Sequence, residues 1–201
     1  MKLYNRTEIP DDLLRPVLLA AGRAAGAKTA KVLVRVTRGR RYTAHGSAAD
    51  STWAKHGWLI GKHRRNWGER KVRCDGVVRM IVGRIGPPGW DGLVEAYRAT
   101  AGIINSVWER WSPEIAARML ARNVYRVAVH EAHHIREYHE GRLGPNIDYS
   151  SRWSKRPHEV RAMDAEEEAL QKLRAGARPA HERAIIALGD WFFEEWKGRE
   201  A

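Results

Sequence analysis

Val127-Ala128-Val129-His130-Glu131-Ala132-His133-His134-Ile135 is the stretch on which the reading of this chain turns. It holds the pattern His-Glu-x-x-His among apolar residues. On a helix, positions i and i+4 share a face. His130 and His134 can therefore both reach one zinc ion, and Glu131 can reach a water at that ion. Two imidazoles and a carboxylate base in this spacing are the working part of a zinc hydrolase. The pattern predicts one Zn2+ as cofactor and Glu131 as the catalytic base.

With about 100° per residue, Val124, Val127, Ala128, Glu131, Ile135 and Tyr138 fall on one inward face. His130 and His134 lie on its flank. His133 falls on the far side with Arg122, Arg126 and Glu140, so the helical wheel leaves it outside the ligand set. A helix that is apolar within and carries both histidines at its edge suits the wall of a cleft.

Catalytic zinc usually takes three protein ligands. A third histidine six residues after His134 would fall at position 140, which is Glu140, and His139 lies on the side of the helix opposite His130. The stretch Arg156-Pro157-His158-Glu159-Val160-Arg161-Ala162-Met163-Asp164-Ala165-Glu166 is the better source. Glu159 stands in the first turn of a new helix and shares a face with Ala162, Met163, Glu166 and Leu170. A carboxylate on a face of small apolar residues needs a partner, because an unpaired buried charge is costly. Zinc is one such partner, which makes Glu159 the expected third ligand. The plain alternative is a first-turn glutamate favoured by the helix dipole. Glu166, two turns on, is the fallback ligand, and His158 a weaker one.

His130-Glu131-Ala132-His133-His134, followed about 25 residues later by Glu159-Val160-Arg161-Ala162-Met163-Asp164-Ala165, resembles the gluzincin branch of zinc metallopeptidases, and most nearly its compact ImmA/IrrE-like type. The resemblance spans about Val124 to Leu173. It implies zinc held by His130, His134 and Glu159, with Glu131 as base, in an enzyme that hydrolyses peptide bonds of a protein or peptide substrate. The thermolysin-like Glu-x-x-x-Asp is absent, since position 163 is Met. An oxyanion donor is also needed, and Tyr149, Arg152, Arg156 and His158 stand near the second motif.

The rest of the chain bounds this reading. Its 201 residues suit one sizeable core, so residues 1–201 read as a single domain. The one cysteine, Cys74, excludes an internal disulfide and a cysteine-based zinc site. The N-terminus lacks the apolar region of a signal peptide, and no apolar run approaches the roughly 18–20 residues of a membrane span. A cytoplasmic protein without a membrane partner is the expectation.

Net charge is +12. Between Arg35 and Arg73, eleven Lys and Arg stand against Asp50 and Glu69. A stripe of this kind favours a polyanion, and Trp53, Trp58 and Trp67 within it could stack on bases. A basic nucleic-acid-binding protein with a structural or inactive zinc site is therefore the alternative function. A SprT-like peptidase acting on DNA-bound proteins would combine the two.

Period and punctuation predict the elements. Ile9 to Gly26 reads as a helix, and the alternation at Val32, Val34 and Val36 as a strand over Lys31 to Thr37. A turn at Arg38-Gly39-Arg40 leads to a second strand around Arg41 to Gly46. A basic, Trp-containing insertion follows at about 47–71. Val72 to Val82 is a further strand, and Asp91 to Trp111 a helix. Ser112-Pro113-Glu114 opens the helical stretch that carries His130 and stops at Gly141, read either as one helix or as two. Helices from Pro157 to about Ala175 and from Ala180 to Lys197 complete the chain. The fold class expected is α+β and zincin-like: a small antiparallel sheet, then a helix bundle carrying the His-Glu-x-x-His helix and a downstream Glu helix.

Overall fold

The computed structural model describes residues 1–28, 32–39, 45–50, 76–83, 112–143 and 152–200. Their elements are β1 (Lys2–Arg6), α1 (Asp11–Ala24), β2 (Val32–Arg38), β3 (His45–Asp50), β4 (Gly76–Val82), α2 (Pro113–His139), a 3-10 turn (Trp153–Lys155), α3 (Pro157–Arg174) and α4 (Pro179–Glu200). The α+β class is as expected. The helix expected over Asp91 to Trp111, Tyr149 and most of the basic insertion lie outside the described residues.

The antiparallel sheet is corrected. Strand order is β1-β2-β4-β3. β1 runs parallel to β2 and β2 parallel to β4, with Val34 opposite Val78 and Val36 opposite Met80. Only β3 is antiparallel, against β4. α1 lies between β1 and β2 in the chain, and a helical crossover returns the chain to start a parallel neighbour. The strand expected after the Arg38-Gly39-Arg40 turn begins at His45 and pairs with β4, not with β2. Composition carried a signal of this. Val32-Leu33-Val34 and Val77-Val78 are continuous apolar runs, as parallel strands buried on both faces show. Leu33 and Val77, which point away from Val34 and Val78, are buried like them.

α1 and α2 cover the face of the sheet that carries Val34, Val36, Val78 and Met80. α1 contributes Leu14, Val17, Leu18 and Ala21. Its end is fixed by Gly26 at φ 69°, with the Ala27 amide donating to the Gly22 carbonyl, the six-to-one bond of a Schellman cap.

α2 is one helix of 27 residues. Ser112 caps it, its hydroxyl accepting from the Ile115 amide at 3.2 Å, and Pro113 takes the first position, where no amide is needed. It stops where the sequence predicts. Gly141 adopts φ 71°, and the Arg142 amide donates to the Glu137 carbonyl at 2.8 Å. α2 packs against α1, α3, α4, β3 and β4, and its alanines at 116, 117, 121, 128 and 132 permit that close approach. α4 returns across it with Ile185, Leu188 and Phe192. Gly189 sits where a Cβ would come within 3.2 Å of the Arg118 Cα.

Arg38, counted above in the basic stripe, turns toward the helices. Its side chain is 8% exposed, pairs with Glu195 and Glu8, and lies over the faces of Trp191 and Phe192. That part of the positive charge is neutralised inside the fold. Among the described residues no helix is long and apolar enough to cross a membrane.

Candidate metal centre

α2 brings His130 and His134 to one flank, one turn apart, with ring centroids 4.7 Å apart and planes at 85°. Their Nε2 atoms face each other at 3.0 Å. α3 adds Glu159 from its first turn. Glu159 Oε2 lies 3.0 Å from His130 Nε2 and 3.4 Å from His134 Nε2. All three residues are buried, and they form a group that could hold a metal ion. Zinc ligands at about 2.0–2.1 Å in tetrahedral array stand about 3.3 Å from one another, close to the three separations here. Two imidazole nitrogens at 3.0 Å also need a proton or a cation between them, since two lone pairs repel.

Glu166, expected as the fallback ligand, has another place. It stands on the far side of the His130 ring, whose Nδ1–H donates to Glu166 Oε1 at 2.5 Å. Arg126 Nε approaches the second Glu166 oxygen at 3.4 Å. A proton fixed on Nδ1 leaves the Nε2 lone pair aimed at the cluster, the tautomer a metal ligand requires. His158, the weaker fallback, is buried beside the group. Its Nε2 lies 3.2 Å from the other Glu159 oxygen, and its ring is 5.7 Å from that of His134. Of the other oxyanion candidates, Arg152 is exposed and Arg156 half-buried.

His133 is outside the cluster, as the helical wheel required, but it is not on an outer surface. It is buried, with Nε2 3.6 Å from Glu137 Oε1. Its neighbour on that side is Glu137, one turn on along α2. Arg161 of α3 donates from Nε to the same Glu137 oxygen at 2.5 Å, and Glu137 is wholly buried. Neither Glu137 nor Arg126 was found from the sequence. A glutamate four residues after a buried histidine was the available signal.

Glu131 is buried, and its Oε2 has no hydrogen-bond partner among the described residues. Burial carries its carboxyl up to about 8, the His130 imidazole opposing and the Glu159 and Glu166 carboxylates adding to the rise. Burial pulls His130 down, but its hydrogen bonds with Glu159 and Glu166 prevail and carry it up to about 10. Glu159 moves the other way. Burial opposes ionisation, and the hydrogen bonds from His130 and His134 outweigh it, holding the carboxyl well below the usual range. The cluster thus has a carboxylate and two imidazoles turned to one point, with an unpaired carboxyl beside them.

Compared with protein-family models, curated proteins and solved structures, the chain matches none. The chemistry of the site therefore rests on its own residues.

Proposed function

We propose that this protein is a zinc-dependent metalloendopeptidase with a gluzincin-like, zincin-type site. The observation that supports this reading is the convergence of His130 and His134 from α2 with Glu159 from α3, beside the buried carboxyl of Glu131, whose Oε2 has no hydrogen-bond partner among the described residues. Two nitrogens and one carboxylate oxygen are the donor set of catalytic zinc, which keeps a further position for water or substrate. Zinc held there would supply Lewis acidity, bringing a water to a pKa of about 7 and polarising a carbonyl.

The remaining work falls to the chain. Glu131 takes the proton of the attacking water and passes it to the leaving amine. Glu166 keeps the proton on His130 Nδ1 and so the ring in its tautomer. His158 is the best placed of the described oxyanion candidates, being buried against Glu159. β3 pairs on only one side among the described residues, and an extended peptide can add to such an edge.

The test is metal content and peptide hydrolysis of the purified protein and of Glu131→Gln. We expect one zinc per chain in both, and hydrolysis in the parent alone. A protein without stoichiometric zinc, or a Glu131→Gln variant that still cleaves, defeats the reading.

A further inference from the structure

Gly46 lies in β3, whose register puts it opposite Met80 of β4. Residues directly opposite in an antiparallel pair point to the same side of the sheet. Met80 is buried in the core beneath α2, so position 46 faces α2. A Cβ at this position would stand 2.5 Å from Glu131 Cγ, 2.6 Å from Glu131 Oε1 and 2.8 Å from Val127 Cγ1. Carbon atoms do not approach so closely, and two of the three contacts are to Glu131. The backbone does not demand glycine here. The glycines at positive φ among the described residues are Gly26, Gly141 and Gly176. Glycine inside a strand weakens it, and often marks a place where another group comes close. Here that group is the carboxyl arm of Glu131. Gly46 is itself exposed, so the strand backbone that covers Glu131 on one side meets solvent on the other.

We propose that Gly46 is a positioning residue for Glu131: its missing side chain lets the edge strand lie flush on the glutamate and hold the carboxyl beside the His130–His134–Glu159 cluster. The catalytic consequence rests on the peptidase reading; the contact does not. A methyl group at position 46 forces the Glu131 arm or the strand to move. Misplacing a reacting group by about 1 Å can lower the rate about 10²-fold. The atoms nearest to the added Cβ belong to Glu131 and Val127 and not to His130, His134 or Glu159, so metal binding should be spared.

The test is a cycle of four full-length proteins: the parent, Gly46→Ala, Glu131→Ala and the double variant. Melting temperature and zinc content are measured on each, and kcat and KM on the parent and Gly46→Ala with a quenched fluorescent peptide library. Gly46→Ala should keep one zinc and the parent KM, and lose about 10²-fold in kcat. Its fall in melting temperature should shrink in the Glu131→Ala background, which removes Cγ and Oε1, Val127 keeping the rescue partial. If Gly46→Ala fails to fold alone, recovery of folding in the double variant supports the proposal equally. The same thermal loss in both backgrounds, or a double variant that also fails to fold, overturns it. So does loss of zinc together with activity. A parent that cleaves no peptide defeats the peptidase reading instead, and the thermal cycle then decides the contact.

Discussion

His130 Nδ1 stands 2.5 Å from Glu166 Oε1, while the opposite nitrogen of the same ring stands 3.0 Å from Glu159. One histidine thus links an outer glutamate to the donor cluster. Partners of this outer kind orient a ligand imidazole and raise its basicity, and their loss typically costs 10–100-fold in metal affinity. Glu166→Ala should therefore weaken zinc binding by about that factor with the three donors intact. Glu166→Gln keeps an acceptor oxygen and should lose less. Competition against a chelator of known strength measures both, and an unchanged affinity in Glu166→Ala would remove Glu166 from the site.

Glu137 and Arg161 tie α2 to α3 just beyond the candidate ligand positions. The carboxylate is wholly buried, whereas the guanidinium is 42% exposed. Breaking a fully buried pair costs about 3–5 kcal/mol and an exposed one about 1 or less. Arg161→Ala, which strands a buried charge while water can still reach the vacated side, should lie between, at about 2 kcal/mol. Glu137→Gln should cost less, since it leaves no charge. Urea unfolding decides, and a loss below about 0.5 kcal/mol for Arg161→Ala would mark the pair as an ordinary surface bridge.

Acidity should leave its mark on the metal-free protein. His130 is held up to about 10 and Glu131 up to about 8, above the 6.5 and 4.5 of ordinary side chains. Where folded groups keep protons that the unfolded chain releases, stability falls as pH rises. The Glu131 contribution declines from about pH 4.5 to 8 and that of His130 from about pH 6.5 to 10, so both act together between about pH 6.5 and 8. Glu159, with its lowered carboxyl, acts with opposite sign below its ordinary value, outside this window. The melting temperature of metal-free protein should fall across pH 6.5 to 8. Zinc must displace the protons, so its affinity should rise over the same range. A flat melting profile without metal contradicts this account.

What the sequence disclosed follows from how local each feature is. The spacing of His130 and His134 is a property of one helix, and Ser112, Pro113 and Gly141 mark the ends of that helix by turn chemistry alone. Glu159 was legible because a carboxylate on an apolar face demands a partner. Its neighbour Glu166 shares that face, and only the crossing of α3 over α2 sends one to the cluster and the other to His130 Nδ1. Strand direction was less legible. Val32, Val34 and Val36 show a buried face and say nothing about which way the next strand runs; only the apolar Leu33 and Val77, buried on the other face, point to parallel neighbours. Gly46 and Met80 meet across 34 positions through β4, and the contact of Gly46 with Glu131 depends on that pairing.

Removing the metal should loosen α3 more than the rest of the fold. α2 is held by α1, α4 and the sheet on its other sides, through Leu120, Val124 and Val129 among others. The opening stretch of α3, residues 157–162, buries little apolar surface of its own. His158, Glu159 and Ala162 are its buried residues, while Val160 is exposed. Its attachment runs mainly through Glu159 to the histidines and Arg161 to Glu137. A ligand that binds only the folded state stabilises it by about 2.7 kcal/mol at 100 times its Kd. Chelation should therefore lower the melting temperature. It should also speed amide exchange first at residues 157–162, with the core amides of α2 and α4 following only on global unfolding. Exchange that accelerates evenly over all three helices, or not at all, would show that the ion does not bridge α2 and α3.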